Sequence, residues 1–248
     1  RHGRTAEQFV GSAFQRIRRI KELQQQNVLD VRLRPTPRGE SRATHGTTWT
    51  ATKTCRACGG ERLEEVVRFA KLPLADMLLE EERLVDEEPL VPATVVRCLS
   101  CQLVQLRETV SRTELFNATY PYFSSASAGW VEHNRRNAEE LIAKRKLNGD
   151  SLVVEAACND GYLLRHFADR GIRTLGVDPA AGPVAEARAL GIDVREAFFN
   201  EALAHQLRSE GVAADLFLAN NVLAHVDDLP GFVRSIATIL RPDGQAVI

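Results

Sequence analysis

The run Ser151-Leu-Val-Val-Glu-Ala156, the turn Ala157-Cys-Asn-Asp-Gly161 and the run Arg173-Thr-Leu-Gly-Val177, closing on Asp178-Pro179, decide how this chain folds. Both runs are short, apolar and rich in β-branched residues, as expected of strands buried on two faces. Between them, residues 162–170 place Leu163, Leu164 and Phe167 at helical spacing. The alternation continues downstream. Residues 183–190 read as helix, 192–195 as a third strand and 201–211 as helix. Residues 215–219 read as a fourth strand ending at Asn220-Asn221. Residues 229–240 form a helix with Phe232, Val233, Ile236 and Leu240 on one face, and 244–248 begin a fifth strand. Strand and helix in strict alternation with short links predict an α/β fold, a Rossmann-like doubly wound parallel sheet. A ligand of such a sheet lies beyond the carboxyl ends of the strands, near the switch point.

Upstream, the cysteines carry a separate signal. Cys55 and Cys58 form one C-x-x-C pair and Cys98 and Cys101 another, with 39 residues between. Each pair turns two thiolates to one side of a tight loop, and two pairs make a closed tetrahedral set for structural zinc. Two disulfides are the competing reading, disfavoured where the cytosol keeps thiols reduced. A redox C-x-x-C would not need a second copy. Residues 55–110 hold seven basic and eleven acidic side chains, with Glu80, Glu81, Glu82, Asp86, Glu87 and Glu88 bunched. Such a surface repels phosphates, so the knob is expected to shape a site or support its neighbour rather than bind nucleic acid.

Composition bounds the rest. The 248 residues carry 32 basic and 33 acidic side chains, a net charge of −1, with 44% hydrophobic residues. That is an ordinary globular balance and excludes a globally basic nucleic-acid binder. No apolar run approaches the ~20 residues of a membrane span, and no secretory signal opens the chain, so a cytoplasmic protein is expected. Residues 1–50 hold ten basic and four acidic side chains, with a candidate amphipathic helix and then a Pro-, Gly-, Ser- and Thr-rich linker. The expected organisation is a basic, largely disordered leader at 1–53, a zinc-binding domain at 54–110, a helical connector at 111–149 and a Rossmann-like domain at 150–248. The start at Arg1 without Met and the stop at Ile248 inside an apolar run read as a fragment.

The turn after the first strand favours a nucleoside ligand. Small residues let a ligand approach the backbone ahead of a helix N-terminus. Asp178 sits where an acidic side chain accepts hydrogen bonds from ribose hydroxyls. No G-x-G-x-x-G is present, and Asp160 would repel a pyrophosphate. A ligand with one ribose and a cationic centre fits better than a dinucleotide, and S-adenosylmethionine is such a ligand.

Several pieces in order resemble the sugar C-methyltransferase family of deoxysugar biosynthesis. They are C-R-A-C-G from Cys55, L-P-L-A-D from Leu72, C-L-S-C-Q-L-V-Q from Cys98, L-F at Leu115, Y-P-Y-F-S-S-A-S from Tyr120 and W-V-E-H from Trp130. E-A-A-C-N-D-G-Y-L-L from Glu155, G-V-D-P-A from Gly176, F-F at Phe198, A-N-N-V-L-A-H-V from Ala219 and P-D-G from Pro242 follow. The resemblance implies an N-terminal zinc-binding domain, a Rossmann-like S-adenosylmethionine domain and a C-terminal domain. It implies that Cys55, Cys58, Cys98 and Cys101 hold zinc. Glu155, Asn159, Asp160 and Gly161 would line the methionine end of the cofactor. Asp178 would hold the ribose, Pro179 and Ala180 would lie beside the adenine, and Phe198 and Phe199 would flank it. Asn220, Asn221 and His225 would close the site below the reacting centre. Tyr120 and Tyr122, with Ser124 and Ser127, would reach the sugar. The usual glycine of the first loop is Ala157, which fits if its φ is negative and would be strained in a left-handed turn.

The implied reaction is C-methylation of a nucleotide-linked 4-keto-6-deoxysugar through an enolate. The family's base, in a His-Glu-His type segment, lies beyond the fifth strand, so this stretch is expected to bind cofactor without supplying that base. Alternatives stay open: a methyltransferase with another small-molecule acceptor, a non-catalytic zinc and cofactor scaffold, or an NAD-dependent sugar enzyme. Phe198 and Phe199 also read as core, His225 as a helix cap, Tyr120 and Tyr122 as packing at a domain junction, and Cys158 as an inert small residue behind the loop.

Overall fold

The computed structural model describes residues 49–79, 81, 84, 88–117 and 119–248. Residues 1–48, with the candidate helix of the basic leader, and Glu80, Glu82, Asp86 and Glu87 of the acidic bunch, lie outside the described residues. The N-terminal part is all β. It contains β1 (Trp49–Ala51), β2 (Leu63–Pro73), β3 (Leu90–Cys98), β4 (Val104–Leu106) and β5 (Glu108–Val110). Strands β2, β3 and β4 make an antiparallel sheet in that order, and β1 pairs antiparallel with β5. The pairing of β1 falls in the stretch read as linker. Three residues find their partners across 57 positions (Ala51 to Glu108), which leaves no local pattern to read.

The connector holds α1 (Arg112–Leu115), a 3₁₀ turn at Ser124–Ala126 and α2 (Ala128–Arg145). Ser127 caps α2 by accepting the Trp130 N–H, and Lys146 ends it in the left-handed conformation, φ 54°. Then follow β6 (Leu152–Ala156), α3 (Leu164–Ala168), β7 (Arg173–Asp178), α4 (Ala181–Ala189), β8 (Val194–Glu196), α5 (Glu201–Ser209), β9 (Ala214–Leu218), α6 (Leu229–Ile239) and β10 (Leu240–Val247). All five strands are parallel, in the order β10-β9-β6-β7-β8.

The sheet is buried on both faces. Along β6, Val153 packs into one apolar layer with Phe167, Val184 and Leu216, and Val154 into the other with Leu207, Phe217 and Ile236. That two-sided burial explains the near-continuous apolar runs. The chain reverses its winding between β6, whose helix leads to β7, and its other neighbour β9. A crevice forms at such a switch point, above the carboxyl ends of β6, β7 and β9.

Candidate functional site

Two centres stand out, and the first is the cysteine cluster. Each C-x-x-C pair folds as a tight knuckle. The Gly59 N–H donates to the Cys55 carbonyl at 2.9 Å, and the Gln102 N–H to the Cys98 carbonyl at 2.9 Å. The residue after each second cysteine is left-handed, Gly59 at φ 71° and Gln102 at φ 67°. The knuckles face each other, with Sγ of Cys55 and Cys101 3.6 Å apart and Sγ of Cys58 and Cys98 3.6 Å apart. All four sulfurs lie within 4.8 Å of one another. A zinc tetrahedron with ~2.3 Å arms has edges of ~3.8 Å, so the donors already stand at ligand spacing. The Ser100 N–H points at Cys98 Sγ at 3.4 Å, an outer hydrogen bond of the kind that orients a metal thiolate. Among the described residues no His, Asp or Glu joins the four sulfurs as a further donor, so they form a closed set of the kind that holds structural zinc.

The second centre is a cavity of about 520 Å³ at the carboxyl ends of the parallel strands. Ala156, Ala157 and Asn159 floor it from the loop after β6. Asp178 and Pro179 enter from the end of β7, Phe198 and Phe199 from the loop after β8, and Asn220, Asn221 and His225 from the loop after β9. Tyr120 and Tyr122 close it from the connector. Glu155, Asp160 and Gly161 are not among its lining residues. They stand behind the loop, buried, and act through the neighbours they hold.

The loop is built by left-handed residues. Ala157 has φ 53°, Asn159 φ 51° and Gly161 φ 77°. Ala157 thus takes the strained conformation that its missing glycine leaves it. An added Cβ at Gly161 would lie 2.5 Å from Ile192 Cδ1 in a left-handed turn, so a substitution there is strained and displaces the Ile192 side chain. Asp178 is 5% exposed, and its carboxylate organises the turn. Oδ2 accepts the Asn159 N–H at 2.9 Å and Oδ1 the Ala180 N–H at 2.8 Å. Burial raises its pKa, while these two amides favour the charged form.

The loop also clasps the connector. Asn159 Oδ1 accepts the Ser124 N–H at 2.8 Å and its Nδ2 donates to the Tyr122 carbonyl at 3.0 Å. Asp160 Oδ2 accepts the Ser125 N–H at 2.9 Å. Two carboxylate oxygens remain buried without a partner, Glu155 Oε2 and Asp160 Oδ1. Burial pushes the Glu155 carboxyl well above the usual range, with the Asp178 and Asp160 charges adding to the rise.

Several lining residues carried no sequence signal for this role. Trp130, on α2, stacks on Tyr162 with ring centroids 6.2 Å apart. Tyr162 is held by Glu155 and Asn220, and burial raises its hydroxyl pKa. Phe116 is an aromatic hub, with centroids 5.3 Å from Tyr120, 6.5 Å from Phe198 and 6.5 Å from His225. Arg112 lies over the Phe198 ring, 4.7 Å from its centroid. Trp130 and Tyr162 fall on helix-like stretches where an aromatic reads as core, and α1 is too short to show a period. Phe199 lines the cavity yet also packs on Phe217 and Phe232, with centroids 5.0 and 5.6 Å away, so it serves the core as well.

Comparison with known proteins agrees with this division. A family model described as a zinc binding domain matches residues 55–116, and one described as a methyltransferase domain matches residues 154–248. The C-methyltransferase NovU of Streptomyces niveus is 31% identical over 190 residues, 77% of this chain and 45% of that protein. A ubiquinone biosynthesis O-methyltransferase of Methylocella silvestris is 36% identical over 111 residues, 42% of this chain and 41% of that protein. The chain spans less than half the length of these curated relatives. Among solved structures, the magnesium protoporphyrin IX methyltransferase of Synechocystis PCC 6803 with bound SAM aligns at 21% identity and TM-score 0.37, over 45% of this chain and 55% of that one. The sulfur tetrad, the parallel sheet with its crevice and the two family models lead to one conclusion: the chain carries a four-cysteine zinc-binding domain followed by a methyltransferase domain.

Proposed function

We propose that the protein is a C-methyltransferase acting on a nucleotide-linked 4-keto-deoxysugar. The observation that carries this reading is the reach of the C-methyltransferase match. An aligned stretch of 190 residues is too long for the methyltransferase domain at 154–248 and takes in the zinc-binding part as well. The O-methyltransferase match covers only 111 residues. The cavity supports it from the structural side, since Asp76, Tyr120 and Tyr122 line it from outside the Rossmann-like sheet.

S-adenosylmethionine, when bound, supplies a sulfonium-activated methyl group. In this proposal Asp178 and the Asn159 turn receive the ribose, and the Ala156–Ala157 floor with buried Glu155 beneath receives the methionine end. Pro179 and Phe198 flank the adenine. Asp160 and Gly161 shape the turn from behind, and Asn220, Asn221 and His225 close the floor at the reacting centre. A general base would take the acceptor proton α to the ketone, leaving an enolate whose carbon would take the methyl in line as the S–CH3 bond breaks and S-adenosylhomocysteine leaves. Tyr120 answers the developing oxyanion. Its pKa is raised by burial and by the Asp76 and Asp178 charges, so it stays a phenol at neutral pH and donates rather than accepts. One such donor is typically worth ~3 kcal/mol in the transition state. Two reactants held in one water-poor cavity gain more, ~7–11 kcal/mol from alignment.

The test is methyl transfer by the whole protein from S-adenosylmethionine to a nucleotide-linked 4-keto-6-deoxysugar, read by mass spectrometry. A product one methyl heavier at carbon, with exchange of the α proton into deuterated water, is the expected result. Transfer confined to hydroxyl acceptors overturns the reading.

A further inference from the structure

We propose that Arg112 is the anchor for the anionic diphosphate of the acceptor, an inference that rests on the nucleotide-sugar reading above and assigns a side chain to its charged half. Among the described residues that line the cavity, Arg112 alone is a lysine or arginine, whereas Asp76, Asp178 and Asp227 are carboxylates. A nucleotide-linked sugar brings about two negative charges into this surrounding, and Arg112 is the place in the wall that attracts them.

Its position is built, not incidental. The single turn of α1 sets Arg112, Leu115 and Phe116 at i, i+3 and i+4, and all three line the cavity. Phe116 is wedged among Tyr120, Phe198 and His225. The guanidinium rests 4.7 Å from the centre of the Phe198 ring. Among the described residues Arg112 makes no ion pair or hydrogen bond through its side chain, so its N–H groups stay available to a ligand. Such a planar fork matches two phosphate oxygens.

The cofactor does not account for the cation. S-adenosylmethionine has no phosphate, and its one carboxylate belongs to the methionine end, at the loop after β6. Phe198 follows β8, the edge strand two places from β6, whereas β9 flanks β6 on its other side. The unpaired cation therefore sits on the adenine side, where the cofactor offers no anion.

Titration calorimetry on the whole protein tests the assignment with uridine and thymidine diphosphates, the parent nucleosides and S-adenosylhomocysteine as probes. Arg112→Gln is expected to weaken the nucleoside diphosphates about tenfold or more and to flatten their salt dependence. Nucleoside and S-adenosylhomocysteine affinities are expected to stay within about twofold, and Arg112→Lys to fall between. Unchanged S-adenosylhomocysteine binding also certifies that the variant is folded. If the parent chain binds the diphosphates and Arg112→Gln binds them equally well, the anchor is overturned and the substrate reading survives. Equal loss of S-adenosylhomocysteine would place Arg112 on the cofactor and overturn it as well. If the parent chain binds S-adenosylhomocysteine and neither diphosphate, the nucleotide-sugar reading fails and takes the anchor with it.

Discussion

Ala157 occupies a left-handed position, φ 53°, that costs an L-residue roughly 1–2 kcal/mol. Ala157→Gly is therefore expected to raise stability by about 1 kcal/mol, measured by urea denaturation, because relief of strain exceeds the entropy that glycine adds to the unfolded chain. Glu155 gives a pH-dependent counterpart. Burial lifts its folded pKa well above 4.5, so the folded chain holds a proton that the unfolded chain releases. The stability tied to that proton is complete below the unfolded value and is lost as pH rises through the folded one. Glu155→Gln keeps the shape without the charge. It should match the parent near pH ~4 and exceed it in stability near pH ~8, where the parent must bury a charge, while binding S-adenosylmethionine more weakly. Asp178 was legible in the sequence because a carboxylate ending an apolar strand needs partners, and two backbone amides supply them. The sign of φ at Ala157 was not legible, since nothing local distinguishes a strained alanine from a relaxed one.

At the scale of elements, the parallel strands and their helices were readable because burial on both faces writes an unbroken apolar run. Most ends shifted by a residue or two, as at 181–189 against the expected 183–190, but β10 begins at Leu240, four residues ahead of the expected 244 and inside the stretch read as helix. The short pieces were hidden. A four-residue helix such as α1 and three-residue strands such as β1 and β5 carry no period, so the Arg112–Phe116 wall went unseen. The cysteine knuckles were readable from spacing alone. Removing zinc, or replacing Cys98 with serine, is expected to strip amide protection from β2, β3 and β4 while β6 to β10 keep theirs, since such metals contribute ~10–16 kcal/mol of folding free energy in small domains. Hydrogen exchange with mass spectrometry, alongside one zinc per chain by elemental analysis, checks this. Gly161→Ala places a methyl against Ile192 in a left-handed turn and should cost about 3 kcal/mol. A loss below about 1 kcal/mol would mean that the turn rearranges.

Seen whole, the sheet supplies one side of the cavity and the connector the other, so the site is complete only when both are in place. Adding S-adenosylhomocysteine should slow hydrogen exchange in residues 120–127 together with 157–163 and 220–226, rather than in the sheet loops alone. The cause is the clasp in which Asn159 and Asp160 hold the backbone at Tyr122, Ser124 and Ser125. That clasp has a kinetic corollary. A reactant settling on one side of it stiffens the berth of the other, and thermodynamic reciprocity makes the assistance equal in both directions. Initial-rate lines for methyl donor and acceptor should then intersect, as in a sequential ternary mechanism, and Asn159→Ala should push them toward a common apparent KM by uncoupling the two arrivals.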